Sequence, residues 1–171
     1  MRPSWDKYFM SMAHVAALRS TCDRGPELKL DPGRHGVGCV ITKDNRIVST
    51  GYNGSCPKHP HCSTHGHLMA DDHCVRTIHS ELNAILYAAK HGISLDGSTI
   101  YTTASPCYDC AKAIISVGIK RVVYNKPYES RYGLSSTVTD LLTVSGIQIY
   151  RFDERVQDES ETKRSGEMEK K

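Results

Sequence analysis

Two predicted helices that each begin with side chains of metal-ligand type constrain the fold of this chain more than any other feature. The first covers 78–91, where helical spacing makes one apolar stripe of Ile78, Leu82, Ile85, Leu86 and Ala89. His79 and Glu81 lie in its first turn, where packing requires neither. The second helix opens at "SPCYDC", residues 105–110. Only a predicted strand, 98–104, separates the two helices, so we expect both helix starts to face one point.

The remaining elements predict an α/β domain. In chain order they are a helix over 5–20 capped by Ser4, strands 37–42 and 46–52 joined as a hairpin by "KDN", a long loop from Asn53 to about Arg76, helix 78–91 ended by Gly92, strand 98–104, a helix from Pro106 to Gly118, strand 120–125, helix 136–146 and strand 147–152. Strands alternate with helices after the hairpin, which indicates a mixed sheet flanked by helices.

The length of 171 residues predicts one domain, 1–152, followed by a charged tail, 153–171, with few apolar residues and predicted to be disordered. No apolar run predicts a membrane-spanning helix, and the N-terminus lacks the apolar region of a signal peptide. We therefore expect a cytoplasmic protein without a membrane partner. The formal charge of +3 is too small to predict a polynucleotide partner.

Cysteine use points to metal chemistry. Seven cysteines in an intracellular chain favour metal binding or redox chemistry over disulfides. One short segment holds Cys56, Cys62 and Cys74 together with His59, His61, His65, His67, His73 and His79. Cys39 lies inside a predicted strand and is expected to be a small core residue. Cys56 has no predicted role.

His79, Cys107 and Cys110 are candidate zinc ligands, and three protein ligands leave the fourth position open, as in catalytic sites. Helix N-termini favour the thiolate form of cysteine. Zinc brings the pKa of bound water to about 7, and Glu81 is placed to take a proton from that water. Taken alone, a C-x-x-C pair is also typical of a redox dithiol or half a zinc knuckle, and a lone histidine of a helix cap.

The pattern H-x-E followed by P-C-x-x-C is the signature of zinc-dependent base deaminases, and it stands here at 79–81 and 106–110. With "VGCVITKDNRIVSTGYNGS", "HCVRTIHSELNAI" and "SPCYDCAKAIISVGIKRVVY", it makes the chain over about 5–152 resemble the cytidine and deoxycytidylate deaminase family. The family usually reads H-A-E where this chain reads H-S-E. The stretch 23–35, "DRGPELKLDPGRH", looks longer than usual.

The resemblance implies a three-layer α/β/α fold with a five-stranded mixed sheet. It also implies hydrolysis of dCMP to dUMP and ammonia, which supplies dUMP for thymidylate synthesis. Glu81 would be the catalytic acid–base, which deprotonates the attacking water and returns protons to N3 of cytosine and to the leaving amine.

Further residues are implied for substrate binding. Asn53 would contact the sugar, Tyr128 would close over the nucleotide, and backbone groups near Ala104 and Ser105 would orient the amine. From the residues alone, Asn53 is equally typical of a turn and Tyr128 of a surface tyrosine. The candidates for holding the 5′-phosphate are basic residues of the longer stretch, namely Arg24, Lys29 and Arg34.

Several family members carry a second zinc ion, and the resemblance implies Cys22, Cys62 and His73 as its ligands here. The fourth ligand stays open between Cys74, the first choice, and His65 or His67. A closed four-ligand site would hold the long loop in place. The alternative is a mobile loop without metal.

The resemblance further implies a homohexamer activated by dCTP and inhibited by dTTP, with Mg²⁺ on the triphosphate. Gly51, Tyr52, Asn53 and Gly54 would lie near this allosteric site. Two other functions stay open. A related zinc deaminase would act on dCTP, a free base or a tRNA adenosine, although a polynucleotide substrate usually demands a strongly basic face. A non-catalytic, zinc-stabilised binding module would not need the carboxyl group of Glu81.

Overall fold

The computed structural model describes residues 2–128 and 135–153. Within these ranges the helices are α1 Trp5–Ala17, α2 Cys62–His65, α3 Ser80–Lys90, α4 Tyr108–Ser116 and α5 Ser135–Val144. The strands are β1 Glu27–Leu28, β2 Asp31–His35, β3 Gly38–Lys43, β4 Arg46–Tyr52, β5 Gly54–Ser55, β6 Met69–Ala70, β7 His73–Cys74, β8 Thr77–Ile78, β9 Thr99–Ala104, β10 Arg121–Lys126 and β11 Gln148–Arg151. The predicted disordered tail lies outside the described residues, apart from Asp153.

A five-stranded mixed sheet with strand order β11-β10-β9-β3-β4 organises the fold. β9, β10 and β11 run parallel, whereas β3 runs antiparallel to both β9 and β4. The register pairs Ala104 at the end of β9 with Lys126 at the end of β10. The predicted five-stranded mixed sheet is confirmed.

Helices cover both faces of this sheet. On one face, α1 packs its buried residues Phe9, Met10 and Ala13 into a cluster with Val40, Tyr101, Val123 and Phe152. On the other face, residues of α3, α4 and α5 share a larger core with the sheet residues Cys39, Ile41, Ile100 and Val122. Side chains alternate between faces along a strand, so Thr103 of β9 faces α1 as Tyr101 does. The predicted three layers are present.

Close packing fixes where α3 and α4 begin. A Cβ atom on Gly51 of β4 would lie 2.1 Å from the carbonyl oxygen of Ser80, so glycine lets this strand approach the start of α3. Ser49 Oγ also donates a hydrogen bond to the Ala84 carbonyl at 2.7 Å. α4 follows β9 after a link of residues 105–107. Its start therefore lies at the carboxyl edge of the parallel strands.

The differences from the prediction lie mainly in loops. β1 pairs with β2 in the stretch 23–35, and the short pairs β5–β8 and β6–β7 organise the Cys/His-rich loop. Two-residue strands are too short to show a periodic pattern. α1 ends at Ala17 and not at 20, and Cys107 caps α4, so Pro106 precedes that helix. Among residues 2–128 and 135–153, every helix is too short or too polar to cross a membrane.

Candidate metal centres

The first cluster joins the starts of α3 and α4. His79 is the N-cap of α3 and Cys107 is the N-cap of α4, while Cys110 lies in the first turn of α4. His79 Nδ1 lies 3.4 Å from Sγ of Cys107 and 3.6 Å from Sγ of Cys110. The structure thus brings together the three residues predicted as ligands of a catalytic zinc ion.

These separations fit one tetrahedral metal ion. Zinc bond lengths of about 2.0–2.1 Å to nitrogen and about 2.3 Å to sulfur place tetrahedral donors about 3.6 Å apart. Neither His79 nor Cys107 uses its side chain to cap its helix, so both side chains are available to the cluster. The three donors fit Zn²⁺ with a fourth position left for water or substrate.

Proton affinities differ widely within this cluster. The hydrogen bond with Cys110 lowers the pKa of Cys107 to about 4, although burial acts in the opposite direction. The same bond, with burial, raises the pKa of Cys110 well above its usual value. The hydrogen bond with Cys107 raises the pKa of His79 to about 9. One thiolate therefore exists at neutral pH before any cation displaces the remaining protons.

Glu81 lies beside this cluster and is not one of its ligands. It is the second residue of α3 and is 4% exposed. Burial raises the pKa of its carboxyl group, an effect that the charge of His79 opposes. Ser80 Oγ donates a hydrogen bond to Glu81 Oε2 at 2.8 Å, so the serine found where the family usually has alanine orients this carboxyl. A raised pKa suits a group that takes up and returns protons near neutral pH.

The link between β9 and α4 holds predicted substrate-binding residues. The Ser105 amide donates to the Lys126 carbonyl at 2.8 Å, and the Tyr128 amide donates to Ser105 Oγ at 2.7 Å. Ala104 is buried, whereas Ser105 and Tyr128 are half-buried. The structure thus places Ala104, Ser105 and Tyr128 at the edge of the sheet that presents Cys107.

Asn53 makes its hydrogen bonds to protein groups. Its Oδ1 accepts from Ser20 Oγ at 2.6 Å and from the Val37 amide at 2.8 Å. Its Nδ2 donates to the Cys22 carbonyl at 3.0 Å, and the residue is 4% exposed. An amide oxygen has two lone pairs and an amide nitrogen two hydrogens, so contacts with the described residues use all of this capacity except one Nδ2 hydrogen. Asn53 thus joins the segment after α1, the Cys22 loop and the residue before β3.

The other predicted effector residues adjoin Asn53 and are closely packed. Gly51 lies against α3, as described above. A Cβ atom on Gly54 would lie 2.8 Å from the ring of Tyr52, and Gly54 pairs with Ile78 in the β5–β8 ladder. Packing alone therefore accounts for both glycines.

A second cluster lies in the Cys/His-rich loop, where ligand atoms of Cys22, Cys62, His67 and Cys74 all lie within 4.8 Å of one another. Cys22 Sγ is 3.8 Å from His67 Nδ1, and Cys62 Sγ is 3.5 Å from Cys74 Sγ. The histidine of this cluster is His67, whereas the resemblance implies His73 as a ligand. His73 and Cys74 are adjacent on β7, and adjacent strand residues point to opposite sides, so only one of them faces the cluster.

The second cluster fits a closed four-ligand zinc site. Asp23 Oδ1 lies 2.8 Å from His67 Nε2, the carboxylate–histidine arrangement that orients a metal-binding imidazole. Burial raises the pKa of Cys62 to about 12. Burial also acts to raise the pKa of Cys74, but hydrogen bonds from the Arg76 backbone and from His67 outweigh it and lower this pKa to about 6.

Sequence reasoning missed the contact between Asp23 and His67. The available signal was an acidic residue directly after the candidate ligand Cys22, but 44 positions separate Asp23 from its histidine. Of the two cysteines outside both clusters, Cys39 is fully buried in β3 and Cys56 is exposed.

The fold and the first site together define the class of α/β/α proteins with a cytidine-deaminase-like fold. The chain belongs to the family described as "Cytidine and deoxycytidylate deaminase zinc-binding region", whose model matches residues 3–126.

Curated relatives come from several kinds of organism. The chain is 48% identical over 129 residues to ComE operon protein 2 of Bacillus subtilis, which covers 75% of this chain and 63% of that protein. It is 34% identical over 162 residues to a deoxycytidylate deaminase of Schizosaccharomyces pombe, covering 88% of this chain and 45% of that protein. It is 38% identical over 137 residues to a deoxycytidylate deaminase of Mycobacterium phage D29, covering 73% of this chain and 97% of that protein. The match thus spans less than two thirds of the first two relatives.

Among solved structures, the fold is similar to dCMP deaminase from the cyanophage S-TIM5 in complex with dCMP and dUMP. The TM-score is 0.70 at 28% identity, and the match covers 89% of this chain and 99% of that one.

Proposed function

We propose that the chain catalyses the hydrolytic deamination of dCMP to dUMP and ammonia. The observation that carries this proposal is the placement of buried Glu81 beside the His79–Cys107–Cys110 cluster at two adjacent helix starts. The substrate is inferred from relatives. The phage D29 deoxycytidylate deaminase is matched over 97% of its length, and the similar cyanophage structure holds dCMP and dUMP.

In this proposal His79, Cys107 and Cys110 hold Zn²⁺, which when bound lowers the pKa of a water molecule to about 7. Glu81 then accepts a proton from the water that attacks C4 of cytosine. The same carboxyl group delivers protons to N3 and to the departing amine. Because burial favours its neutral form, Glu81 can hold a proton between these transfers.

The pyrimidine is oriented by the link between β9 and α4. We assign the contacts to the amine to backbone groups of Ala104 and Ser105, because the bonds to Lys126 and Tyr128 fix this link next to Cys107. Tyr128 would close over the nucleotide. The one remaining Nδ2 hydrogen of Asn53 is its contribution to binding the sugar.

A second, structural Zn²⁺ would be held by Cys22, Cys62, His67 and Cys74. Their mutual distances support this assignment. We extend the deaminase domain over 1–152 and place the reaction in the cytoplasm, where it would supply dUMP for thymidylate synthesis. The proposal includes a homohexamer activated by dCTP and inhibited by dTTP, with Mg²⁺ on the triphosphate and Gly51–Gly54 near that site. The support for this hexamer and for its regulation is the family resemblance.

The variant Glu81→Gln tests the catalytic assignment. Ammonia release from dCMP should fall by about 10³-fold, because an amide cannot carry the proton. Zinc content and thermal unfolding should match the parent. The matched control is Asp140→Asn on an exposed part of α5, which should keep full activity. Near-parental turnover by Glu81→Gln would overturn the role of Glu81.

Substrate choice is tested by following ammonia release from dCMP, CMP, dCTP, cytosine and adenosine-containing tRNA. We expect the highest kcat/KM for dCMP. Release from tRNA but not from dCMP would replace this proposal with the tRNA-deaminase alternative, and zinc binding without turnover of any substrate would favour a non-catalytic module.

A further inference from the structure

Ser80, the first residue of α3, lies between a candidate zinc ligand and the proposed acid–base. His79 precedes it and Glu81 follows it. Ser80 is 0% exposed, and its Oγ donates a hydrogen bond to Glu81 Oε2 at 2.8 Å. Where the family usually has alanine, this chain therefore places a hydroxyl group in contact with the carboxyl group of Glu81.

The packing of α3 does not require a hydroxyl group at this position, because alanine would fill nearly the same volume. Burying a hydroxyl group is unfavourable unless it forms a hydrogen bond. Within residues 2–128 and 135–153, Glu81 Oε2 is the hydrogen-bond partner of Ser80 Oγ. The contact with Glu81 is thus what serine adds to this helix start.

The hydrogen bond restricts a rotation of the Glu81 side chain. The terminal torsion of glutamate, χ3, has a broad and roughly two-fold distribution, unlike the torsions that precede it. A donor held against one carboxyl oxygen selects one part of this range. Glu81 is 4% exposed, and a hydrogen bond in such a buried place is stronger than the same bond in water.

The same hydrogen bond leaves the carboxyl group of Glu81 able to exchange protons. A carboxylate offers about four acceptor positions on its two oxygens, and Ser80 occupies one of them. A protonated carboxyl group also retains acceptor capacity, so Ser80 can keep donating after Glu81 has taken up a proton. The contact is therefore compatible with both protonation states that the proposed reaction uses.

The direction of this carboxyl group matters because it lies close to the first cluster. Burial raises the pKa of the Glu81 carboxyl group, and the charges of His79 and Cys107 act on it as well, as expected for a group beside two candidate ligands. Proton transfer requires heavy atoms within about 2.6–3.2 Å of each other. A carboxyl group turned away by rotation about χ3 would miss that distance.

We propose that Ser80 is a positioning residue, which holds the carboxyl group of Glu81 toward the water that attacks the pyrimidine. This inference rests on the proposed function and deepens it. Ser80 itself touches neither the substrate nor the reacting water. Its hydrogen bond should raise kcat and not substrate affinity, because the orientation of an acid–base group stabilises the transition state and leaves ground-state binding unchanged.

The test compares Ser80→Ala with Ser49→Ala in the zinc-loaded full chain. Ser49 is the matched control because it is also buried and also donates one hydrogen bond to α3, from its Oγ to the Ala84 carbonyl at 2.7 Å. In steady-state release of ammonia from dCMP, Ser80→Ala should lower kcat about tenfold and keep KM within about twofold. Ser49→Ala should keep both constants.

Measurements other than turnover check that each variant has an intact site. Zinc content and the Kd for dUMP should match the parent in both variants. The thermal midpoint should fall no more in Ser80→Ala than in Ser49→Ala, since each loses one buried hydrogen bond. A loss of kcat confined to Ser80→Ala would then report the position of Glu81 and not the stability of α3.

A double variant shows whether Ser80 acts through Glu81. In a Glu81→Gln background, Ser80→Ala should cause no further loss of the residual kcat, because the group that Ser80 positions has already been removed. Single-turnover measurements at high enzyme concentration give these low rates.

Separate outcomes decide the role of Ser80 and the proposed function. Unchanged kcat in Ser80→Ala, equal losses in Ser80→Ala and Ser49→Ala, or a tenfold loss that persists in the Glu81→Gln background would overturn the role of Ser80 and leave the proposed function standing. Ammonia release by the parent from another of the tested substrates, but not from dCMP, would overturn the substrate, and the same comparison on that substrate would decide Ser80. A parent that releases ammonia from none of them would overturn both.

Discussion

The two Cys/His clusters differ in what holds them and in what surrounds them. The first has three candidate ligands, carried by the starts of α3 and α4 against the central sheet. The second has four candidate ligands, which come from loops, a four-residue helix and a two-residue strand. In the first cluster His79 is exposed to solvent, whereas all four residues of the second are buried or half-buried. The first is open to a ligand and the second is closed.

The carboxyl groups of Asp23 and Glu81, each next to one cluster, differ in what they contact. Asp23 contacts His67 directly, an arrangement that orients the imidazole of a candidate ligand. Glu81 is buried next to His79 and is bonded to Ser80, not to the ligand. Glu81, the proposed acid–base, therefore lies beside the candidate ligands, whereas Asp23 contacts a candidate ligand from behind.

Asn53 links the second cluster to the residue that precedes β3. Its side chain donates to the carbonyl of Cys22, a ligand of the second cluster, and accepts from the Val37 amide beside β3. Ser20 Oγ also reaches the Cys22 carbonyl at 2.7 Å. The second cluster therefore shares a hydrogen-bonded loop with Asn53, the residue that we propose contacts the sugar.

The largest effect should follow from removing a ligand of the first cluster. Cys107→Ser should lower dCMP turnover by about 10⁴-fold or more, because without the metal the attacking water is not activated and Glu81 has no acidified water to deprotonate. Bound zinc should fall by one ion per chain, as measured by atomic absorption. The thermal midpoint should fall less than in a variant of the second cluster, because α4 and its core contacts remain and only the binding energy of the lost ion is removed.

The control for this variant is Cys56→Ser, an exposed cysteine outside both clusters, which should retain both activity and zinc. Retention of dCMP turnover by metal-free Cys107→Ser would remove the distinction between an open catalytic cluster and a closed structural one.

Removing a candidate ligand of the second cluster should lower activity less than Cys107→Ser does, but it should lower stability more. Cys62→Ser should lower the free energy of unfolding by more than about 3 kcal/mol, because a structural metal contributes binding energy to folding. Its kcat should stay within about threefold of the parent, while KM for dCMP rises as Asn53 loses a fixed partner. Chemical denaturation and steady-state kinetics measure the two. A large fall in kcat at unchanged stability would reverse the roles given to the clusters.

The sequence predicted the first cluster better than the second for a physical reason. Helix starts and strands have periodic patterns, so His79, Cys107 and Cys110 could be placed before the structure was known. The second cluster lies where two-residue strands leave no pattern, and the choice between His67 and His73 depended on which side chain of β7 faces inward.

The contact between Asp23 and His67 should have an intermediate effect confined to the second cluster. Asp23→Asn should weaken zinc binding there by about 10–100-fold, because the amide holds the imidazole less firmly and lowers its basicity. In competition with a chromophoric chelator, Asp23→Asn should lose its second-cluster zinc at a lower chelator concentration than the parent. Its first-cluster zinc should be lost at the same chelator concentration as in the parent. Cobalt substitution gives an independent optical readout of each site.

The matched control is Asp140→Asn, which changes the same group on the exposed surface of α5. Unaltered chelator competition in Asp23→Asn would show that the 2.8 Å contact does not support the metal site.

The smallest effect should appear in the reactivity of the thiols once both metals are removed. Cys107 and Cys74 are both half-buried, but their pKa values are about 4 and about 6. Only the thiolate is alkylated. The alkylation rate of Cys107 should therefore stay nearly constant from pH 5 to pH 8, because it is already ionised, whereas that of Cys74 should rise about tenfold through pH 6. Mass spectrometry of iodoacetamide-labelled peptides measures both profiles. A profile for Cys74 centred above pH 8 would show that the loop cluster opens without its metal, and the same result for Cys107 would mean that two helix starts do not preorganise the first site.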